Sequence, residues 1–145
     1  YIPNPKFYNT KTLLLEFSRG TGRDGYKKSL ANLKNELLER SAILYVKASY
    51  KESIRRNEAR YQEKLKYSIL AHKCPEEAME RFYRQDDWDE ITDRRPSGLL
   101  NINGIDMPFA TMENEPEEKD PLRMEKRYAD ALDIVFGMWK DKKAS

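Results

Sequence analysis

Gly20, Gly22 and Gly25, inside the stretch GTGRDGYKKS, match the spacing G-x-G-x-x-G. Glycines so spaced let a backbone approach a pyrophosphate, provided an acid about 20 residues on, at the end of the second strand, holds the ribose. Here that strand ends Val46-Lys47-Ala48-Ser49 without an Asp or Glu, and Arg19 and Arg23 crowd the turn. The same stretch nearly spells GxxxxGK followed by Ser or Thr, but Tyr26 stands between Gly25 and Lys27. On a helix that extra residue turns the lysine and hydroxyl by about 100°, away from where phosphate and magnesium need them. Neither phosphate cradle is met.

Just upstream, Glu16 closes the apolar run Leu13-Leu14-Leu15 and precedes Phe17, Ser18 and Arg19. A carboxylate at the carboxyl end of a buried parallel strand sits where open α/β sheets put ligand-contacting groups. The plainer alternative pairs Glu16 with Arg19 or Arg23 in a loop. A second set, Arg55, Arg56 and Arg60, lies on a helical pattern. Arg56 and Arg60 are four apart and share a face, with Arg55 about 100° away, and guanidinium forks suit phosphate oxygens bidentately. The alternative is a solvated basic helix with Glu52, Glu58 and Glu63 pairing along it.

Other candidates carry less. His72-Lys73-Cys74 offers two metal ligands, but a zinc site needs about four, and the chain has no other His or Cys. The run Asp86-Asp87-Trp88-Asp89-Glu90 lacks the alternating oxygen spacing and glycine of a calcium loop, which leaves a solvated face or partner-binding loop. Glu113, Glu115, Glu117 and Glu118 read as a charged loop.

The elements that must position these residues follow from periodicity. Residues 12–17 (TLLLEF) read as a short buried strand, and residues 42–49 (AILYVKAS) as another. A helix capped by Asp24 carries Tyr26, Leu30, Leu33 and Leu37 on one face. Ser49 starts a long helix to about Ala71, with Ile54, Tyr61, Leu65 and Ile69 inward. Pro75 opens a further helix carrying Met79, Phe82 and Tyr83. Asn103-Gly104 between alternating apolar residues signals a two-residue hairpin, residues 109–112 continue as a short strand after Pro108, and a helix over residues 122–140 buries Tyr128, Leu132, Val135, Phe136 and Trp139. Two prolines make the opening residues 1–5 irregular. The order of elements predicts an α/β fold, a mostly parallel sheet covered by helices with a hairpin near the C-terminal strand.

The 145 residues fit one domain. With 27 Lys and Arg against 25 Asp and Glu the net charge is +2, which argues against a wholesale nucleic-acid surface. One cysteine precludes an internal disulfide and suits a reducing compartment. No apolar run approaches the ~20 residues of a membrane span and no signal peptide opens the chain, so a cytoplasmic protein without membrane contact is expected.

The pieces LLLEF, AILYVKASYKESIRRNEARY and MPFATMENE, in this order, resemble the later part of the P-loop nucleoside and nucleotide kinase group. The resemblance runs over residues 12–139. It implies an ATP- and Mg2+-dependent phosphotransferase acting on a nucleotide and a small-molecule acceptor, in a domain that here lacks its first strand and phosphate loop. Glu16 would be the metal or acceptor-side carboxylate with Arg19 beside it, and Arg56 and Arg60, with Arg55 and Arg23, would lie on the phosphates. The rival reading is a non-catalytic interaction protein that keeps an α/β scaffold.

Overall fold

In the computed structural model, which describes residues 5–144, the Asn103-Gly104 turn joins β2 (Ser97–Ile102) to β3 (Ile105–Glu113). Both turn residues have positive φ, 54° and 80°, the pair that a two-residue hairpin matched to strand twist requires. The fragments expected on either side of Pro108 form one strand. β1 (Ile43–Lys47) runs parallel to β3 on its other side, from Ile43 opposite Phe109 to Lys47 opposite Glu113. Pro108 is compatible with a central strand because the parallel pairing begins only one residue after it.

The sheet therefore has three strands in the order β1-β3-β2, one pair parallel and one antiparallel. This corrects the expected mostly parallel, P-loop-kinase-like sheet. The missing parallel strand is residues 12–17, which form no strand and leave Leu13, Leu14, Leu15 and Phe17 exposed. An apolar run shows that burial would be favourable, but not that a surface is there to receive it.

Alternation along β3 puts its side chains into two layers. Met107 and Phe109 join Leu100 and Ile102 of β2 with Leu30, Leu38 and Trp88, supplied by α1 (Tyr26–Ala31), α2 (Asn35–Leu38) and α5 (Trp88–Ile91). Ala110 and Met112 are buried on the opposite face, which α6 (Pro121–Ala144) covers with Ala131 and Val135. Leu132 and Phe136, expected inside, are half-exposed.

Two helices depart further from expectation. The stretch after Asp24 is two short helices, and α1 starts at Gly25 rather than on an Asp24 cap. α3 (Tyr50–Leu65) starts on Ser49 as expected but ends before Ala71, and the side chain it buries is Arg56. Ile54, Leu65 and Ile69 point to water, Ile69 by 98%. α3 packs on α4 (Glu76–Tyr83), whose Met79 is buried. The opening residues 1–4 lie outside the described residues, and Pro5–Asn9 form a 3-10 turn. No helix among the described residues is long and apolar enough to cross a membrane.

Candidate functional site

Parallel pairing brings the carboxyl ends of β1 and β3 to the same end of the sheet. β1 leads through Ala48 to Ser49, whose hydroxyl accepts from the Glu52 N–H at 3.2 Å and so caps α3. β3 leads into Asn114, Glu115 and Glu117. The Glu115 carboxylate accepts from the Ser49 N–H at 2.9 Å, which ties the start of α3 to the loop after β3.

A charged cluster forms where these segments meet. Arg55 grips Glu52 with two bonds of 2.7 Å and reaches Glu117 at 2.6 Å. Arg56, 8% exposed, donates to Glu52 at 2.7 Å and to the Asn114 carbonyl. Arg127 of α6 donates to the Asn114 side chain at 3.3 Å and to the Pro116 carbonyl at 3.1 Å. The Arg55 and Arg56 guanidinia hold the Glu52 carboxyl down to about 2. Glu117 is lowered by Arg55, and Glu115 by the Ser49 N–H it accepts from. Arg55 is raised in return by Glu52 and Glu117.

Arg55 and Arg56 thus lie where sequence reasoning put ligand-contacting arginines, but their donors are taken by carboxylates. A phosphate would have to displace Glu52 or Glu117. Arg60 does not share a working face with Arg56: Arg56 turns in toward β3, while Arg60 is exposed and makes no ion pair among the described residues. Glu58 pairs with Lys73 at 2.7 Å, off the α3 helix, and accepts from the Gln62 amide along it at 2.7 Å.

Gly20 and Gly25 of the glycine loop are likewise committed to packing. A Cβ on Gly20 would sit 2.1 Å from the Arg81 carbonyl oxygen, and one on Gly25 would sit 2.5 Å from Asp87 Oδ2. Glycine is needed at both for close approach to α4 and to Asp87. Arg19 donates to the Ser29 hydroxyl at 2.7 Å and lies 4.9 Å over the Phe17 ring. Glu16 is exposed, neither ending a strand nor forming an ion pair among the described residues, and Arg23 is exposed. Asp24 is held bidentately by Arg81 at 2.8 and 2.9 Å. Beside it lies an open hollow of about 290 Å³, lined by Thr21, Glu80 and Arg84 as well as this pair.

Gly20 and Gly25 face protein atoms while Gly22 has open space beside it, the paired arginines face carboxylates, and Glu16 stands apart on an unpaired segment. Among the described residues no three His, Cys, Asp or Glu side chains gather as a metal site.

The acidic run is a joint rather than a solvated face. Asp87 accepts the N–H groups of Tyr26 at 2.6 Å and Lys27 at 3.1 Å, capping α1 from 61 residues away. Asp86 accepts from the Tyr45 hydroxyl at 2.5 Å and the Trp88 N–H at 2.9 Å. Burial, with Asp86 adding to it, raises the Tyr45 hydroxyl well above its usual range, and burial pushes Tyr26 up to about 12. Asp89 pairs with Lys47 at 3.1 Å. Trp88, 1% exposed, stacks on Tyr45 at 4.6 Å and bonds the Thr111 hydroxyl. Cys74 exchanges both backbone bonds with the Asn57 amide, so the His72–Cys74 segment ties α4 to α3.

Sequence reasoning missed Asn114, Arg127 and the capping role of Asp87, and read Glu115 and Glu117 as a charged loop. Only the density of acids after β3, set against arginines on α3, hinted at the cluster. No protein-family model, curated protein or solved structure matches this chain.

Proposed function

We propose that this chain is a non-catalytic interaction protein, whose working surface is an incomplete sheet that takes an added strand. The carrying observation is the pairing of two unsatisfied features. Residues 12–17 expose four large apolar side chains, Leu14 by 86%, and β1 has no strand on its outer side among the described residues. Burying such a side chain is worth roughly 1.5–3 kcal/mol relative to leaving it in water, and an open strand edge is a ready template for pairing. A cytoplasmic setting goes with this reading, supported by the single cysteine. The test is a titration of the labelled protein with short strand-forming peptides rich in Val and Ile, followed by amide chemical shifts. Saturable shifts centred on residues 43–47 are expected. Shifts confined elsewhere, or none, would sink the proposal.

A second reading is an ATP-dependent kinase-like phosphotransferase, with Glu16 and Arg19 on the acceptor side. It is favoured by Arg55 and Arg56 standing at the carboxyl end of a parallel strand. Calorimetry with ATP and magnesium separates the two. Binding heat that disappears in Arg55→Ala and Arg56→Ala selects the phosphotransferase, and no heat leaves the interaction protein.

A further inference from the structure

The free edge of β1 and the unpaired run at residues 12–16 belong to one chain, and they complement each other. We propose that two copies exchange these segments, residues 12–16 of each pairing in parallel with β1 of the other to form a strand-swapped dimer. This rests on the interaction reading above and names the partner as a second copy.

Length and charge select the register. β1 is Ile-Leu-Tyr-Val followed by Lys47, and the run is Thr-Leu-Leu-Leu followed by Glu16. Parallel alignment sets Glu16 beside Lys47, an opposite-charge cross-strand pair. Antiparallel alignment sets Lys11 next to Lys47 instead, and like charges on adjacent strands destabilise. The Lys47 side chain is 38% exposed and makes one ion pair among the described residues, with Asp89, so its ammonium has room for a second carboxylate.

The faces agree as well. With Thr12 beside Ile43, alternation sets Leu13 and Leu15 next to Leu44 and Val46 on the α6 side, where Val46 is exposed. Leu14 falls next to Tyr45 on the aromatic side. The donor segment lies between two anchors: before it, Arg40 sits 5.7 Å over the Tyr8 ring, and contacts after it hold its far end. Phe17 packs 6.1 Å from the Tyr26 ring, Arg19 holds Ser29, and the Gly20 N–H bonds the Asp24 carbonyl at 3.0 Å. Residues 12–16 form no strand with their own β1, and reciprocal exchange satisfies both edges in one closed pair.

The test is sedimentation equilibrium of the full chain over a concentration series, with circular dichroism as the folding control. A monomer–dimer equilibrium is expected, with amides of residues 12–16 and 43–47 gaining exchange protection as concentration rises. Leu14→Glu alters a side chain that the single copy leaves in water, so its fold persists, and it weakens the dimer at least about tenfold. Glu16→Lys, which sets like charges together, weakens it too. A dimer indifferent to both substitutions overturns the proposal, since another surface then holds it. A monomer whose residues 12–16 are protected overturns it in favour of pairing within one chain. A monomer that still binds strand peptides at β1 overturns the second copy and leaves the interaction reading standing. A monomer that binds none overturns both.

Discussion

Replacing Arg56 by alanine separates a strut from a ligand-binding arginine. Arg56 is 8% exposed and bonds both Glu52 and the Asn114 carbonyl, so it links α3 to the end of β3. Alanine takes away a charged donor from each and leaves the Asn114 carbonyl short of a partner. Hydrogen bonds to charged groups contribute about 1.5–3 kcal/mol, and breaking a fully buried pair costs about 3–5 kcal/mol. Glu52 keeps its two bonds to Arg55, which holds the expected loss to about 2–3 kcal/mol. At this chain length each kcal/mol shifts Tm by roughly 3–4 °C, so Arg56→Ala melts roughly 6–12 °C below the parent. Urea unfolding followed by tryptophan fluorescence reads the loss directly, because Trp88 is buried between the sheet and α1. The midpoint should fall with the slope unchanged. Arg60→Ala is the control: exposed and without an ion pair among the described residues, it should stay within about 0.5 kcal/mol. An Arg56→Ala protein as stable as the parent, or no less stable than Arg60→Ala, would refute the strut and return Arg56 to the set of free phosphate-binding arginines.

Two further outcomes follow from the same contacts. Glu52 titrates at about 2 in the fold against 4.5 for a free side chain, so its ionised form favours the fold above pH 4.5 and that contribution is lost as pH falls toward 2. The stability difference between the parent and Glu52→Gln should therefore be flat above pH 4.5 and close between 4.5 and 2, and a gap that persists at pH 2 contradicts the assignment. Asp87→Ala removes the acceptor for the first two N–H groups of α1. It should cost about 1–2 kcal/mol in urea unfolding, with faster amide exchange at Tyr26 and Lys27; unchanged exchange there would show that the cap is dispensable.

What the sequence determined by itself is what neighbouring residues decide among themselves. Asn103-Gly104 makes its turn because two adjacent residues tolerate positive φ. Ser49 starts α3 because its own hydroxyl reaches an N–H three residues on, and β1 is an apolar, partly β-branched run bounded by polar residues. The tertiary structure alone decided whether residues 12–17 become a strand, which partners Arg55 and Arg56 hold, and what the acidic run around Trp88 does. Each of these depends on groups far apart in the chain: Asp87 with Tyr26, Arg56 with Asn114, Lys47 with Asp89. Periodicity shows which side chains favour burial and which charges seek a partner. It does not show which distant surface arrives, because that is set by how the whole chain packs.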